Sequence, residues 1–179
     1  ALDALESGDW QGLLLTGKPL VFAAGADITT FPGITEERAR EGSAVGHALF
    51  GRIRDLPFPT LAALTGAALG GGIEIALHCH VRTVASSARH LALPEVFLGL
   101  VPGWGGTQLL PRIVGAERAV RMIVDNPLDR NRMLTAAQAL ELGVVDHVID
   151  PIDLVDASLE LLVARIEDGE GRPRAEADL

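Results

Sequence analysis

Short apolar runs alternate along the chain with longer segments in which apolar and polar residues recur at helical spacing. Apolar runs bounded by turn residues are typical of buried strands. We predict strands at Gly12–Thr16, Leu20–Ala23, Thr60–Leu64, Val81–Ala85 and Val144–Ile149. We predict helices at Thr35–Arg54, Ile73–His80, Glu117–Val124, Ala136–Leu142 and Ile152–Ile166. Strands and helices alternate, which predicts an α/β domain.

Turn and capping residues define several boundaries within this pattern. Thr135 is a good N-cap for the helix that follows it, and Gly143 is a good C′ residue at its end. Gly103–Gly106 opens a further helix that runs through Leu110. We divide the chain into a core over residues 1–150 and a C-terminal part over residues 151–179, which consists of one helix and a frayed polar tail.

Composition and charge narrow the functional classes. The chain has 179 residues, of which 48% are hydrophobic, so it can bury the core of one ordinary domain. Its formal charge of −9 argues against a nucleic-acid partner and an anionic membrane surface. It leaves room for a small anionic ligand, which needs only local positive potential. No apolar run approaches the roughly 18 residues that cross a bilayer.

The single cysteine and the first residues suggest where the protein works and how the chain begins. Cys79 cannot form an intrachain disulfide, which fits a reducing compartment, and we expect a buried structural thiol and a cytoplasmic location. No signal peptide is visible. The chain starts without Met in what resembles the end of a helix, so we expect a fragment.

The stretch Gly66–Glu74 is the most informative segment. Its three consecutive glycines, Gly70–Gly72, let the backbone turn sharply and approach a ligand closely. Free N–H groups at the start of the next helix suit a developing negative charge, such as the enolate of an acyl thioester. The stretch lacks the spacing of a dinucleotide fold, a P-loop or a nucleophile elbow. A glycine turn that only serves packing remains the alternative.

Two carboxylates follow in apolar surroundings. Glu74 alone could simply compensate the dipole of its helix, and Glu95 alone could be exposed or paired. Together they could supply acid–base chemistry, because hydration needs one group that deprotonates water and another that protonates carbon. Their sequence positions do not establish whether they converge.

Histidines and cations add weaker candidates. His78, His80, His90 and His147 show no metal-ligand spacing, so we predict packing or surface roles and no metal site. Several cations could supply positive charge for a nucleotide phosphate. Among them we favour Lys18, which we expect close to the loop that begins at Ala24.

Four ordered motifs resemble the enoyl-CoA hydratase/isomerase (crotonase) superfamily. They are Val21–Asp27, Gly66–Glu74, Pro94–Gln108 and Leu142–Asp146, and the resemblance covers residues 8–150. It implies an α/β fold built as a spiral of repeated ββα units, assembled as trimers or dimers of trimers. The family's N-terminal hairpin and part of its C-terminal helices are missing from this sequence.

An apparent insertion at residues 126–133 makes the chain similar to the hydratase portion of multifunctional fatty-acid β-oxidation proteins. Those proteins continue into a dehydrogenase. The resemblance therefore implies that the chain could be part of a longer multifunctional polypeptide.

The resemblance also assigns catalytic positions. The catalytic pair would be Glu74 and Glu95, with Glu95 protonating Cα and Glu74 holding water. The backbone N–H groups of Ala26 and Gly71 would form the oxyanion hole. Asp27 would shape its loop rather than take part in the chemistry.

Further positions would contact the substrate. Ala24 and Gly25 would lie beside the coenzyme A moiety, with Ala24 near its adenine. Gly103 would face the catalytic water. Trp104 is either a wall of the acyl pocket or part of the core.

These residues together predict an enoyl-CoA hydratase that converts 2-trans-enoyl-CoA into 3-hydroxyacyl-CoA in fatty-acid β-oxidation. Coenzyme A is part of the substrate, and no metal or redox cofactor is implied. The first alternative is Δ3,Δ2-enoyl-CoA isomerisation, which Glu95 alone could perform. An alternative of another class is a non-catalytic acyl-CoA binding module.

Overall fold

A computed structural model describes residues 1–169 of the chain. Its seven strands are β1 (Leu13–Thr16), β2 (Leu20–Ala23), β3 (Thr60–Leu64), β4 (Gly66–Leu69), β5 (Val81–Ala85), β6 (Leu91–Ala92) and β7 (His147–Ile149). Its eight helices are α1 (Leu2–Ser7), α2 (Glu36–Arg54), α3 (Gly71–Leu77), α4 (Gly106–Val114), α5 (Ala116–Val120), α6 (Asn126–Leu128), α7 (Ala136–Leu142) and α8 (Leu154–Glu167). Within this described range, no helix is both long enough and apolar enough to cross a membrane.

The strands form two parallel sheets. One sheet has the order β1-β3-β5-β7, and the other has the order β2-β4-β6. Consecutive strands therefore alternate between the sheets, and a helix follows each of the pairs β1–β2 and β3–β4. The chain winds as a spiral in which each turn adds one strand to each sheet, so the predicted spiral of ββα units is confirmed.

The fully buried strand β3 shows how the core is divided. Successive side chains of a strand point to opposite faces. Ala62 and Leu64 pack into the main core, whereas Leu61 and Ala63 pack with Leu154 and Leu162. Helix α8 therefore covers one face of the larger sheet, and the main core fills the other face.

Several element boundaries differ from the sequence predictions. Strand β4 was expected as a glycine-rich loop, and α3 begins at Gly71 instead of Ile73. Strand β7 covers only His147–Ile149, because the residues before it turn back against the end of α7, where Val144 N–H bonds the Ala139 carbonyl. The predicted frayed tail falls mostly on residues 170–179, which lie outside the described residues.

The smaller sheet positions the candidate site. Its three strands run in parallel, so their carboxyl ends lie at one edge of the sheet. Beyond that edge, β2 leads into residues 24–26 and β4 leads into α3. Strand β6 leads into the 3-10 helix Pro94–Leu98. Ligand sites of parallel sheets commonly lie outside this edge.

Candidate active site

Glu74 projects from the first turn of α3 into a buried site. Its side chain is only 2% exposed. Oε1 accepts hydrogen bonds from the backbone N–H groups of Trp104 (2.7 Å) and Gly106 (2.9 Å). Burial raises the pKa of Glu74, and these two hydrogen bonds oppose that shift because they favour the charged form. The carboxyl is therefore oriented through one oxygen, and its other oxygen is available for further interactions.

Glu95 lies on the 3-10 helix that follows β6, in a different environment. Its Oε1 lies so close to Gly70 that a Cβ at position 70 would come within 2.6 Å of it. Its Oε2 is buried and has no hydrogen-bond partner among residues 1–169. Burial raises the pKa of Glu95 to about 7, and the negative charge of Glu74 adds to the shift. A carboxyl in this state can hold a proton near neutral pH.

Gly70 lies between the backbone that carries Glu74 and the carboxyl of Glu95. Its φ of +51° favours glycine, and its carbonyl accepts the backbone N–H of Glu74 at 3.0 Å. Because Glu95 Oε1 lies against the same residue, the Glu95 carboxyl is close to the first turn of α3, and the charge of Glu74 contributes to its raised pKa.

The two loops predicted to form an oxyanion hole also meet here. At Gly25, which has a φ of +85°, a Cβ would come within 2.7 Å of the Leu69 carbonyl oxygen and 3.4 Å of the Gly71 nitrogen. The loop that carries Ala26 therefore lies directly against the start of α3. First-turn N–H groups of a helix have no acceptor within the helix, so the Gly71 N–H is suited to a ligand oxygen. Ala24 and Gly25, in the loop that follows β2, are exposed to solvent.

Asp27 shapes that loop, as predicted. Its Oδ1 accepts hydrogen bonds from the backbone N–H of Thr29 (3.0 Å) and from the Thr29 hydroxyl (2.6 Å). These contacts cap the short helix Ile28–Thr30 and lower the pKa of Asp27. Its carboxylate is therefore engaged with its own loop.

Trp104 lies against the start of α3 and packs between that helix and α2. A Cβ at Gly71 would come within 2.5 Å of its six-membered ring, so the indole lies on the start of α3. Its Nε1–H donates to the Gly42 carbonyl of α2 at 3.1 Å, and its ring meets Phe50 edge to face at 5.4 Å. The neighbouring Gly103 is exposed, and its carbonyl accepts the Ser43 hydroxyl at 2.9 Å.

The structure does not bring Lys18 close to this cluster. Lys18 precedes β2, whereas Ala24 follows it. The Lys18 carbonyl accepts the Val21 N–H at 3.2 Å, so the Lys18 backbone lies beside the first residues of β2. At about 3.3 Å per strand residue, it is roughly 10 Å from that loop. Its carbonyl accepts the Thr65 hydroxyl at 2.8 Å. Lys18 therefore stands at the opposite end of the strand from the other candidates.

Cys79 is a buried thiol whose pKa is raised to about 12 by burial, which agrees with the predicted structural role. Within residues 1–169, no three His, Cys, Asp or Glu side chains are grouped in a way that could hold a metal ion.

His78 is a site residue that the sequence analysis missed. It is 1% exposed, and its Nε2 lies 2.9 Å from the Trp104 carbonyl oxygen. The available clue was its position four residues after Glu74, at the C-cap of α3, which puts both side chains on the same side. The contact with Trp104 connects positions far apart in the sequence, so no local pattern indicated it.

The chain is similar to known proteins over nearly its whole length. The profile of the enoyl-CoA hydratase/isomerase family matches residues 1–170. The chain is 43% identical over 154 residues to a fatty acid oxidation complex subunit alpha of Shewanella loihica, and 40% identical over 167 residues to one of Idiomarina loihiensis. These alignments cover 85% and 92% of the chain, but it spans only 21% and 22% of those relatives.

Solved structures agree with this relationship. DspI of Pseudomonas aeruginosa superposes with a TM-score of 0.82 at 37% identity, covering 93% of this chain and 66% of DspI. An enoyl-CoA hydratase of Bacillus anthracis superposes with a TM-score of 0.81 at 34% identity, covering 93% of this chain and 62% of that protein. The motifs, the spiral of two parallel sheets and these matches establish that the chain belongs to the enoyl-CoA hydratase/isomerase family.

Proposed function

We propose that this chain adds water across the double bond of a 2-trans-enoyl-CoA thioester to give 3-hydroxyacyl-CoA. The observation that carries the proposal is that Glu74, in the first turn of α3, and Glu95, whose carboxyl lies against Gly70, differ in their surroundings. Glu74 is oriented by two N–H donors, whereas Glu95 has an unpartnered oxygen and a pKa of about 7. Hydration needs such a pair, one carboxyl ionised and one protonated.

The two carboxyls divide the reaction between them. The ionised Glu74 orients a water molecule and accepts its proton as the water oxygen bonds to the β-carbon. The protonated Glu95 gives its proton to the α-carbon. The proton taken from water then returns to Glu95, so the product gains one hydroxyl and one hydrogen, and both carboxyls recover their starting states.

The thioester oxygen carries the negative charge that develops during addition. We assign its stabilisation to the N–H groups of Ala26 and Gly71, because the loops that carry them are in contact at Gly25. Preorganised donors of this kind are each worth about 2.7–4 kcal/mol in other enzymes. Trp104 is proposed to form a wall beside the acyl chain, since its ring lies on Gly71.

The substrate class follows from chemistry and from the relatives. Ala24 and Gly25 are exposed in the loop that follows β2, and we propose that they lie beside the coenzyme A moiety. The relatives from Shewanella loihica and Idiomarina loihiensis are named as alpha subunits of fatty acid oxidation complexes, so we propose a role in fatty-acid β-oxidation. Assembly as a trimer or a dimer of trimers stays a proposal that rests on the family resemblance.

Glu74→Gln distinguishes hydration from isomerisation of a 3-enoyl-CoA. Isomerisation moves a proton from the α-carbon to the γ-carbon, and the partly ionised Glu95 could carry that proton alone. We expect the full-length gene product to hydrate 2-enoyl-CoA, and Glu74→Gln to lower that rate about 100-fold or more. Loss of the ultraviolet absorbance of the conjugated thioester measures hydration. If the parent only isomerises and Glu74→Gln isomerises equally well, the isomerase assignment replaces this one.

A further inference from the structure

His78 is a buried imidazole that the proposed chemistry does not use. Its Nε2 lies 2.9 Å from the Trp104 carbonyl oxygen. Its Nδ1 is buried and has no hydrogen-bond partner within the part of the chain that the structure describes. Buried polar atoms are nearly always paired, so a buried imidazole with a hydrogen bond at only one nitrogen is unusual. The single bond that it makes is therefore the first place to look for a role.

His78 and Glu74 both form hydrogen bonds to the backbone of residues 104–106. Glu74 lies in the first turn of α3, and His78 is the C-cap residue that follows it with helical backbone angles. At a separation of four residues, the two side chains project on the same side. Glu74 Oε1 accepts the N–H groups of Trp104 and Gly106, while His78 Nε2 bonds the carbonyl of Trp104. The turn is thus held by both side chains at residues 104–106.

The turn needs such support because of its composition. Two of its three residues are glycine, the residue with the greatest backbone freedom. Gly105 has a φ of +123°, and a Cβ there would come within 2.7 Å of His78 Nε2. The imidazole therefore packs directly on the backbone of the turn whose N–H groups orient Glu74.

We propose that His78 is a positioning residue that donates its Nε2–H to the Trp104 carbonyl and so keeps the turn's N–H groups on Glu74. A carbonyl can only accept, so Nε2 must carry the proton. Burial lowers the pKa of His78, which keeps the ring neutral with an unprotonated Nδ1. The kinetic part of this inference rests on the proposed hydratase function, whereas its structural part does not.

Two variants separate the hydrogen bond from the packing. His78→Gln keeps a donor near the position of Nε2, and His78→Leu keeps an apolar side chain but removes the donor. Trp104 reports on the turn directly, because the chain has two tryptophans and Trp10→Phe leaves only this one. In that background we expect His78→Leu to increase acrylamide quenching of Trp104 about twofold or more, and His78→Gln to stay near the parent.

Turnover provides a second readout. A small displacement of a positioned group can cost up to about 100-fold in rate, so we expect His78→Leu to lower kcat about 10-fold or more with KM little changed. Weaker N–H bonds raise the pKa of Glu74, so the acidic limb of the kcat/KM profile should move to higher pH. The other titratable or charged groups near these side chains are His47, Glu95, Arg54 and Asp55. They are unchanged in both variants, and His78→Gln should restore the profile.

Acrylamide quenching and nitrogen-15 spectra test the positioning role of His78 independently of turnover. If His78→Leu leaves the quenching unchanged, or if His78→Gln is as disturbed as His78→Leu, the positioning role is wrong. Nitrogen-15 spectra of the parent's histidines test it even if a variant fails to fold, because the proposal requires the neutral Nε2–H form of His78 and an Nδ1–H form would overturn it. A parent without hydratase activity but with the expected quenching would count against the proposed function only.

Discussion

At the scale of single residues, the Glu95 carboxyl has a pKa that links the site to the stability of the fold. Its folded pKa is about 7, against 4.5 for an unperturbed group. The folded chain therefore keeps this proton over a pH range in which the unfolded chain has released it. By linkage, this group's contribution to stability is full below about pH 4.5 and is lost as the pH rises through about 7.

Glu95→Gln should reveal this dependence, because glutamine does not titrate. We expect the variant to become more stable relative to the parent as the pH rises from about 5 to about 8. Urea unfolding at the two pH values measures the difference. Glu141 is exposed, so Glu141→Gln is the matched control. Its difference in unfolding free energy from the parent should be the same at both pH values. A pH-independent difference for Glu95→Gln would show that Glu95 titrates normally.

Gly70 offers a test of how closely Glu95 is held. An alanine methyl there would lie within 2.6 Å of Glu95 Oε1, which can swing away because it is the end of a flexible side chain. Gly115 has a similarly positive φ of +85° but open space around it. Both alanine variants should lose about 1–3 kcal/mol of stability from backbone strain.

Only Gly70→Ala should also lose activity, by about 10-fold or more, because the methyl displaces the Glu95 carboxyl. Thermal unfolding and the hydration assay, run side by side on both variants, separate the two effects. Equal activity in Gly70→Ala and Gly115→Ala would mean that the contact between Gly70 and Glu95 does not matter for the reaction.

The residues of the site differ in how far the sequence could identify them. Glu74 and Glu95 stood out because each is a carboxylate in apolar surroundings next to glycine or proline. The contact of Gly70 with the Glu95 carboxyl and the hydrogen bond of His78 to the Trp104 carbonyl each join separate elements. Such contacts leave no periodic pattern in the sequence.

At the scale of elements, Arg82 joins β5 to the segment before β7. Its guanidinium is 2% exposed and donates to the carbonyls of Val144 (2.9 Å) and Cys79 (2.8 Å) and to the Asp146 carboxylate (3.0 Å). The Arg82 backbone N–H also donates to Asp146, at 2.9 Å. The edge strand β7 is therefore anchored by a buried charged group.

Arg82→Met should be strongly destabilising, by about 3–5 kcal/mol, because it removes the guanidinium that bonds Asp146 and two buried carbonyls. Arg52→Met is the matched control. Arg52 pairs with Asp3 and Glu6 at the surface, where solvent screens ion pairs and they add little to stability. Urea unfolding of both variants measures the contrast. Similar losses would contradict a special role for the buried arginine.

The elements that the sequence predicted well are those whose local preference agrees with their surroundings. Strands β3 and β5 match their predicted ranges, because β3 is mostly apolar, β5 is rich in β-branched residues, and turn residues follow both. Strand β4 was missed because Gly66–Leu69 is built from glycine, alanine and leucine, which have little strand preference. Pairing with β2 on one side and β6 on the other makes it a strand.

At the scale of the whole molecule, the parallel order of the smaller sheet assembles the site. Three strands end at one edge, so three segments far apart in sequence deliver Gly25, Glu74 and Glu95 to one place. The α/β alternation was readable from hydrophobic periodicity, whereas the spiral came from the family resemblance. Periodicity alone does not say which strands pair, so the division into two sheets needed the structure.

The most direct test of the account is the rate at which the full-length gene product hydrates crotonyl-CoA, measured for the parent, Glu74→Gln, Glu95→Gln and the surface control Glu141→Gln. We expect the parent and Glu141→Gln to hydrate crotonyl-CoA equally fast, and each site variant to be slower by about 100-fold or more. A parent that turns over neither short nor long enoyl-CoA, or a site variant as fast as the control, would contradict the assignment of these two carboxyls to hydration.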